Sequence, residues 1–267
     1  MRTPKRKSPA ERSVIVYQLA LLVAFFVFWW AAVTTGLLPK FFFGDPIGVL
    51  HQLIRWFTTG SIWRHLGNTL AETFLGFALG TISGLIVGLW LALSPLTARI
   101  LAPFINAANS MPRLIFAPIF ALWFGLGIWS KVALGVTLVF FVVFFNVFQG
   151  VREVSPVVLA NVRLMGANRR QLMAWVYLPS ATSWVFSSLH NAVGLAFVGA
   201  VVGEYLGSAR GVGYLILQAE GVFDINSVIA GILLLTVFAL LLDMLVSRIE
   251  RRLLRWQAPT QAKTVSA

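Results

Sequence analysis

Six stretches of this chain are each apolar over about the thickness of a bilayer: Val14–Leu37, Thr69–Leu93, Ile100–Phe124, Val132–Gln149, Trp184–Val202 and Val228–Val246. A helix of roughly 20 apolar residues crosses the hydrocarbon core and bonds all of its own N–H and C=O groups, which lipid cannot do. The pattern predicts an all-α integral membrane protein with six transmembrane helices. Composition agrees: 58% of the 267 residues are hydrophobic and 11% charged, against about 25% charged in soluble domains. The third stretch differs from the rest, because the chain stays apolar from Leu96 to Trp129 with Pro112 and Pro118 inside. A kink, or a separate interfacial segment before Met111, is expected there.

Charge placement orients the spans. The basic residues at 1–13, 94–99, 150–183 and 247–267 are fifteen of the 21 Lys and Arg. Lys40, Arg55, Arg64, Lys131 and Arg210 fall on the opposite side, and Arg113 lies within the third stretch. The positive-inside rule then puts both termini in the cytoplasm. Residues 1–13 read as a basic cytoplasmic N-terminus, 14–256 as the membrane domain and 257–267 as a polar tail. Arg2, Lys5, Arg6, Lys7 and Arg12 precede the first stretch in the charge order of a signal peptide. That stretch is longer than a signal core and carries Trp29 and Trp30, so an uncleaved first span is expected. The net charge of +12 lies beside apolar runs, where it serves orientation and contact with anionic lipid headgroups rather than nucleic acid.

The second stretch carries Gly76, Gly80, Gly84 and Gly88, one every fourth residue, and Gly199 and Gly203 repeat the spacing in the fifth. Such glycines line one helix face and let a second backbone approach closely. Helix packing is the expected role.

Residues suited to catalysis are sparse. There is no Gly-x4-Gly-Lys-Ser/Thr phosphate loop, so no nucleotide or metal cofactor is expected on this chain. With no cysteine, thiolate chemistry and cysteine-ligated metals are excluded. His51 and His65 flank the outer loop near Asp45 and Glu72 without metal-ligand spacing, and read as solvated loop residues.

The segment between the fourth and fifth stretches, EVSPVVLANVRLMGANRRQLMAWVYLPSA (Glu153–Ala181), is too polar to span and too amphipathic for a plain loop. Leu164, Leu172 and Val176 are expected on one helical face, with Arg163, Arg169 and Arg170 elsewhere. Gly166 divides it into two short helices and Pro179 is expected to end the second. Two such helices suit a groove on a partner protein or the membrane surface.

Here the chain resembles the permease subunits of binding-protein-dependent ABC importers. Their loop has a glycine followed, after nine residues, by an aliphatic residue, any residue, Leu and Pro; Gly166, Val176, Leu178 and Pro179 match. Ala160, Asn161 and Val162 stand where the family usually has Glu-Ala-Ala, so the acidic member is absent. Met111-Pro112, APIFALWFGLGIWSK (Ala117–Lys131), FFNVFQGVREV (Phe144–Val154), GEYLGSARGVGYLI (Gly203–Ile216) and DMLVSRIERRLLRW (Asp243–Trp256) are similar to the nitrate, sulfonate and taurine branch. The resemblance implies a type I importer permease fold in a bacterial inner membrane, paired as a homodimer. It also implies a soluble substrate-binding protein outside, and two cytoplasmic ATPase subunits that hold ATP and Mg. Ala160, Arg163, Gly166, Ala167, Val176, Leu178 and Pro179 would form the ATPase-docking loop, within a coupling segment of about 153–181.

Polar residues at membrane depth are costly and usually face a cavity or the bundle interior. Asn109, Pro112 and Arg113 in the third stretch, and His190 and Asn191 in the fifth, are therefore candidates for a translocation path. Arg113 reads equally as a cytoplasmic anchor, and Asp243 as a local partner of Arg248. An ion-coupled secondary transporter is the rival class, and would call for acidic residues at mid-membrane and an internal repeat. A neutral pyrimidine-type precursor is the rival solute to a sulfonate, nitrate or taurine-like anion.

Overall fold

The computed structural model describes residues 9–253; the first eight residues, Trp256 and the polar tail lie outside the described residues. Those described form twelve α-helices, one 3-10 turn and one π turn, with no strand among them. They fall into two compact units: the chain up to Ile62 with Leu215–Leu233, and Trp63–Tyr214 with the chain from Leu234 on.

The first unit holds α1 (Pro9–Thr34), the single turn α2 (Lys40–Phe43) and α3 (Pro46–Thr58). From Val16 to Thr34 the side chains of α1 are exposed nearly all round, as on a helix whose solvent is lipid. Asp45 caps α3 by accepting from the Gly48 amide at 2.6 Å, and Lys40 pairs with the same carboxylate at 2.6 Å. The Lys40 ammonium, followed by the Gly48 amide, holds this carboxyl below the usual carboxylate range. The Asp45 amide donates to Asn226 Oδ1 at 2.9 Å, so the helix start is tied at both ends.

The second unit is built around α7 (Ile128–Arg152). It packs between α4 (Ser61–Ala92) and α10 (Leu178–Gly207); α11 (Val212–Gly221) and α12 (Ile225–Leu253) each belong partly to this unit and partly to the first. Val139, Val143, Val147 and Val151 of α7 meet Ala192 and Ala196 of α10, and Phe77, Leu85 and Leu89 of α4 close the cluster. The approach is close because the facing positions lack side chains. A Cβ at Gly76 would lie 3.3 Å from the Gly135 Cα, and one at Gly199 only 2.8 Å from it. Gly135 of α7 therefore lies between glycines of two other helices. Further along, Gly80, Gly84 and Gly88 receive Val139, Val143 and Val147 in turn, while Gly203 lies against Lys131.

The expected six spans become five helices long and apolar enough to cross a membrane: Val16–Thr34, Ser61–Ala92, Ile128–Arg152, Leu189–Gly221 and Ile225–Ile249. The third stretch is not one helix. It divides into α5 (Pro95–Ser110), an extended Met111, a 3-10 turn at Arg113–Phe116 and α6 (Ala117–Phe124). Pro112 has no N–H to continue the ladder and forces Met111 out of the helical region, to φ −69 and ψ 137. Pro118 sits in the first turn of α6, where a missing donor costs nothing.

The stripe predicts a position-specific response. In Gly84→Ala the new methyl would meet the Phe140 carbonyl oxygen at 2.8 Å, so the helices must part. The cost is expected at about 1–3 kcal/mol. Gly67→Ala, on the same helix with open space around it, is expected to be neutral or stabilising. Thermal stability in detergent, followed by gel filtration, compares the two; equal losses would contradict the close-packing account.

Candidate functional site

Two groups of polar residues stand out in the second unit, at opposite ends of α7. The first is the segment after Arg152. α8 (Pro156–Leu164) closes with backbone bonds from Met165 N to Asn161 O, Gly166 N to Arg163 O and Ala167 N to Val162 O, at 2.9–3.3 Å. Gly166 adopts φ 82, the left-handed conformation that ends helices and that glycine takes without strain. Asn168 then starts α9 (Arg169–Leu172) with a reciprocal cap: its side chain accepts from Gln171 N at 2.9 Å, and Gln171 Oε1 accepts from Asn168 N at 2.8 Å. The turn thrusts Leu164 and Met165 outward, each 85% exposed, with Arg163, Arg169, Arg170 and Ala160 exposed around them.

Two expectations about this segment change. Leu164 and Leu172 do not share a face, since Leu172 is buried while Leu164 is among the most exposed residues; the left-handed turn between them breaks the helical periodicity. Pro179 does not end a helix. A five-residue π turn at Met173–Tyr177, containing the part-buried Val176, leads directly into α10, and Leu178 and Pro179 are its first two residues. The wider turn accommodates the residue without a donor.

The second group was not visible in the sequence as a group. Glu204 near the end of α10 is fully buried and accepts from Thr69 Oγ1 at 2.6 Å and from the Gly213 amide at 2.8 Å. Thr69 Oγ1 in turn accepts from the Val212 amide at 3.1 Å, and His65 Nδ1 from the Gly211 amide at 3.1 Å. The Gly211-Val212-Gly213 backbone thus wraps a carboxylate. A Cβ at Gly211 would fall on the Glu204 carboxyl carbon, and Gly211 itself sits at φ 107. Lys131, 1% exposed, donates to the carbonyls of Leu126, Gly127 and Gly207 at 2.7, 3.0 and 2.5 Å. Glu72, on α4 three residues after Thr69, is 4% exposed, and its Oε2 has no hydrogen-bond partner. Beside this cluster is a cavity of about 380 Å³ lined by Asn68, Glu72, Gly127, Ser208 and Arg210 among others.

Three expectations are therefore corrected. Lys131 is a buried clasp between the starts and ends of helices rather than an outer-side loop charge. His65 is a half-buried helix residue rather than a solvated one. Glu72, expected near the outer loop at a span end, lies buried well inside α4 rather than at its start. The available signal was GEYLGSARGVG itself: an acidic residue inside an apolar span, followed by two glycines one residue apart.

The candidate path residues separate into two places. Arg113 donates to Asn109 O at 2.9 Å and to Asn109 Oδ1, and its guanidinium stacks on Phe141 of α7 at 4.6 Å. Pro112 precedes it in extended conformation. His190 pairs instead with Asp243 at 2.6 Å, and Asn191 beside it is exposed. Asp243 is thus a partner of His190 across helices, not of Arg248 within one. No group of three or more His, Cys, Asp or Glu among the described residues is arranged to hold a metal ion.

Comparison with known proteins follows the same lines. The chain is 28% identical over 262 residues to the taurine transport system permease protein of Escherichia coli, covering 96% of this chain and 95% of that one. It is 30% identical to a putative aliphatic sulfonates transport permease protein of Bacillus subtilis, over 94% and 92% of the two chains. It is 33% identical to the riboflavin transport system permease protein of Chloroflexus aurantiacus, over 95% and 97%. The fold matches a chain of the MetNI methionine ABC transporter in an inward-facing conformation, with a TM-score of 0.61 at 21% identity, covering 74% of this chain and 96% of that one.

The carboxylate clasp gives a test independent of transport. Thr69→Val keeps the shape but leaves a Glu204 oxygen and the Val212 amide without their partner, and is expected to cost about 1–3 kcal/mol. Thr69→Ser, which restores the hydroxyl, should recover most of it. Thermal unfolding of the purified variants measures both, and unchanged stability in the valine variant would refute the role.

Residues 80–255 match the family described as binding-protein-dependent transport system inner membrane component, and the chain belongs to it, as a permease subunit of an ABC importer.

Proposed function

We propose that this subunit passes a small organic anion of the sulfonate class across the inner membrane, with ATPase subunits docking on residues 156–178. The observation that carries the docking half is the exposed Leu164-Met165 pair held out by the left-handed Gly166. Two fully exposed apolar side chains ringed by Arg163, Arg169 and Arg170 suit an apolar pocket with an acidic rim on a partner. Both termini lie in the cytoplasm and two copies of the chain enclose the path in this reading. Similarity to taurine and aliphatic sulfonate permeases over nearly the whole length supports the solute. Arg113, stacked on Phe141 at the break between α5 and α6, is the cation offered to such an anion. The clasp around Glu204 keeps the other end of α7 fixed.

A second reading has a specific observation behind it: the riboflavin permease relative is more identical than either sulfonate relative. A neutral heterocycle needs no cation along the path.

Two experiments separate the parts. A Cβ at Gly166 meets nothing within 4 Å, so it is the positive φ, and not lack of room, that excludes other residues. Gly166→Val is expected to strain the turn by about 1–2 kcal/mol and to lose most ATPase co-purification, with Gly166→Asn much milder. Full retention of the ATPase by the valine variant would refute docking here. For the solute, ATP-driven uptake into proteoliposomes holding the complete transporter and its binding protein is expected for taurine or ethanesulfonate. Uptake of riboflavin with none of either sulfonate would establish the second reading instead.

A further inference from the structure

A cavity of about 310 Å³ opens where the α4–α5 connection meets the end of α7. Arg99 and Arg152 both line it, with Asn106, and its remaining walls include Phe144, Phe145 and Phe148. Both arginines are exposed. The ion pairs recorded among the described residues are Lys40–Asp45 and His190–Asp243, so neither arginine is neutralised by one. Glu153, next to Arg152, is instead engaged by Gln149 Nε2 at 2.9 Å. The Arg152 guanidinium lies over the Phe148 ring at 5.2 Å, at the cavity wall.

Three features coincide here. The arginine pair supplies positive charge to an oxyanion. The aromatic wall supplies apolar contact that a free oxyanion cannot use. The surface of α5 continues that apolar contact outward, with Leu96 74%, Ile100 58% and Phe104 69% exposed. A ligand matching all three has a negatively charged phosphate at one end and hydrocarbon at the other.

We propose that this cavity binds an anionic phospholipid, with its phosphate between Arg99 and Arg152 and an acyl chain along Phe144, Phe148 and the exposed face of α5. A basic pocket between spans at the headgroup level is the arrangement that retains such lipids. In the orientation proposed above, the lipid belongs to the inner leaflet, but its binding does not depend on which solute is carried.

The complete transporter in nanodiscs of mixed phosphatidylglycerol and phosphatidylcholine, released and examined by native mass spectrometry, provides the test. Retained phosphatidylglycerol is expected in excess of phosphatidylcholine, falling about fivefold for each arginine replaced in Arg99→Gln and Arg152→Gln. Arg→Lys replacements should keep most of it. Undiminished retention by the folded double glutamine variant would overturn the proposal. So would displacement of the lipid by excess inorganic phosphate, which would mark a site for free oxyanions. Should the double variant fail to fold, phosphatidylglycerol with a photoreactive tail is applied to the unaltered protein. Labels confined to residues 95–106 and 144–152 support the site. Labels elsewhere, or cross-links joining two copies of the chain through this face, refute it.

Discussion

The close approach of three helix backbones at Gly135 is the contact on which the larger unit depends. In lipid there is little hydrophobic force between spans, since hydrocarbon tails are as apolar as leucine. What remains is dispersion, which falls off within a fraction of an ångström of the optimal separation. Gly76 and Gly199, one on each side of Gly135, remove the side chains that would hold α4 and α10 away from α7. The valines of α7 then fill the glycine notches of α4, and the buried row Val139–Val151 follows from that geometry. An added methyl at these positions acts on backbone atoms, which cannot rotate aside as a side-chain end can.

Buried ionisable side chains are concentrated at one end of this assembly: Glu72, Lys131 and Glu204. Lys131 donates to the carbonyls of Leu126 and Gly127 just before α7 and of Gly207 at the end of α10. Removing the ammonium would leave these acceptors without that donor, which costs more than the net worth of the bonds themselves. Around Glu204 the chain uses backbone amides, from Gly213 directly and from Val212 through Thr69. The glycines at 211 and 213 are required by proximity, because any Cβ would occupy space that the Glu204 side chain or the Val201 carbonyl already fills.

Much of this was legible in the sequence, in proportion to how local the physics is. Five of the six expected spans, the break near Pro112, the division at Gly166 and the glycine stripe each arise from residues near one another in the chain. The third stretch failed as a single span because hydropathy measures transfer into lipid and is blind to a missing amide at Pro112. Leu164 and Leu172 were placed on one face by a periodicity that Gly166 interrupts. The clasp joins His65 and Thr69 to Glu204 and to Gly211–Gly213, and no local pattern announces a contact across that separation. Asp243 was assigned to Arg248 by helical spacing, yet His190 on another helix reaches it at 2.6 Å. Nearest neighbours in sequence lose to nearest neighbours in space wherever two helices pack.

A stripe with a glycine every fourth residue has a property that its packing role conceals. Moved along α7 by four residues, about 6 Å of helix, Gly80, Gly84 and Gly88 would again face valines, and only Gly76, now opposite Gly135, would meet a different residue. The surface is a ruler with identical marks, and it measures spacing without fixing an origin. The origin comes from the one region of α4 that does not repeat. Thr69 bonds the Glu204 carboxylate of α10 and the Val212 amide of α11, and a slide of one turn would part it from both at once. Register along this seam is therefore held by a few polar atoms at its end, and the smooth majority of the interface is free of that task.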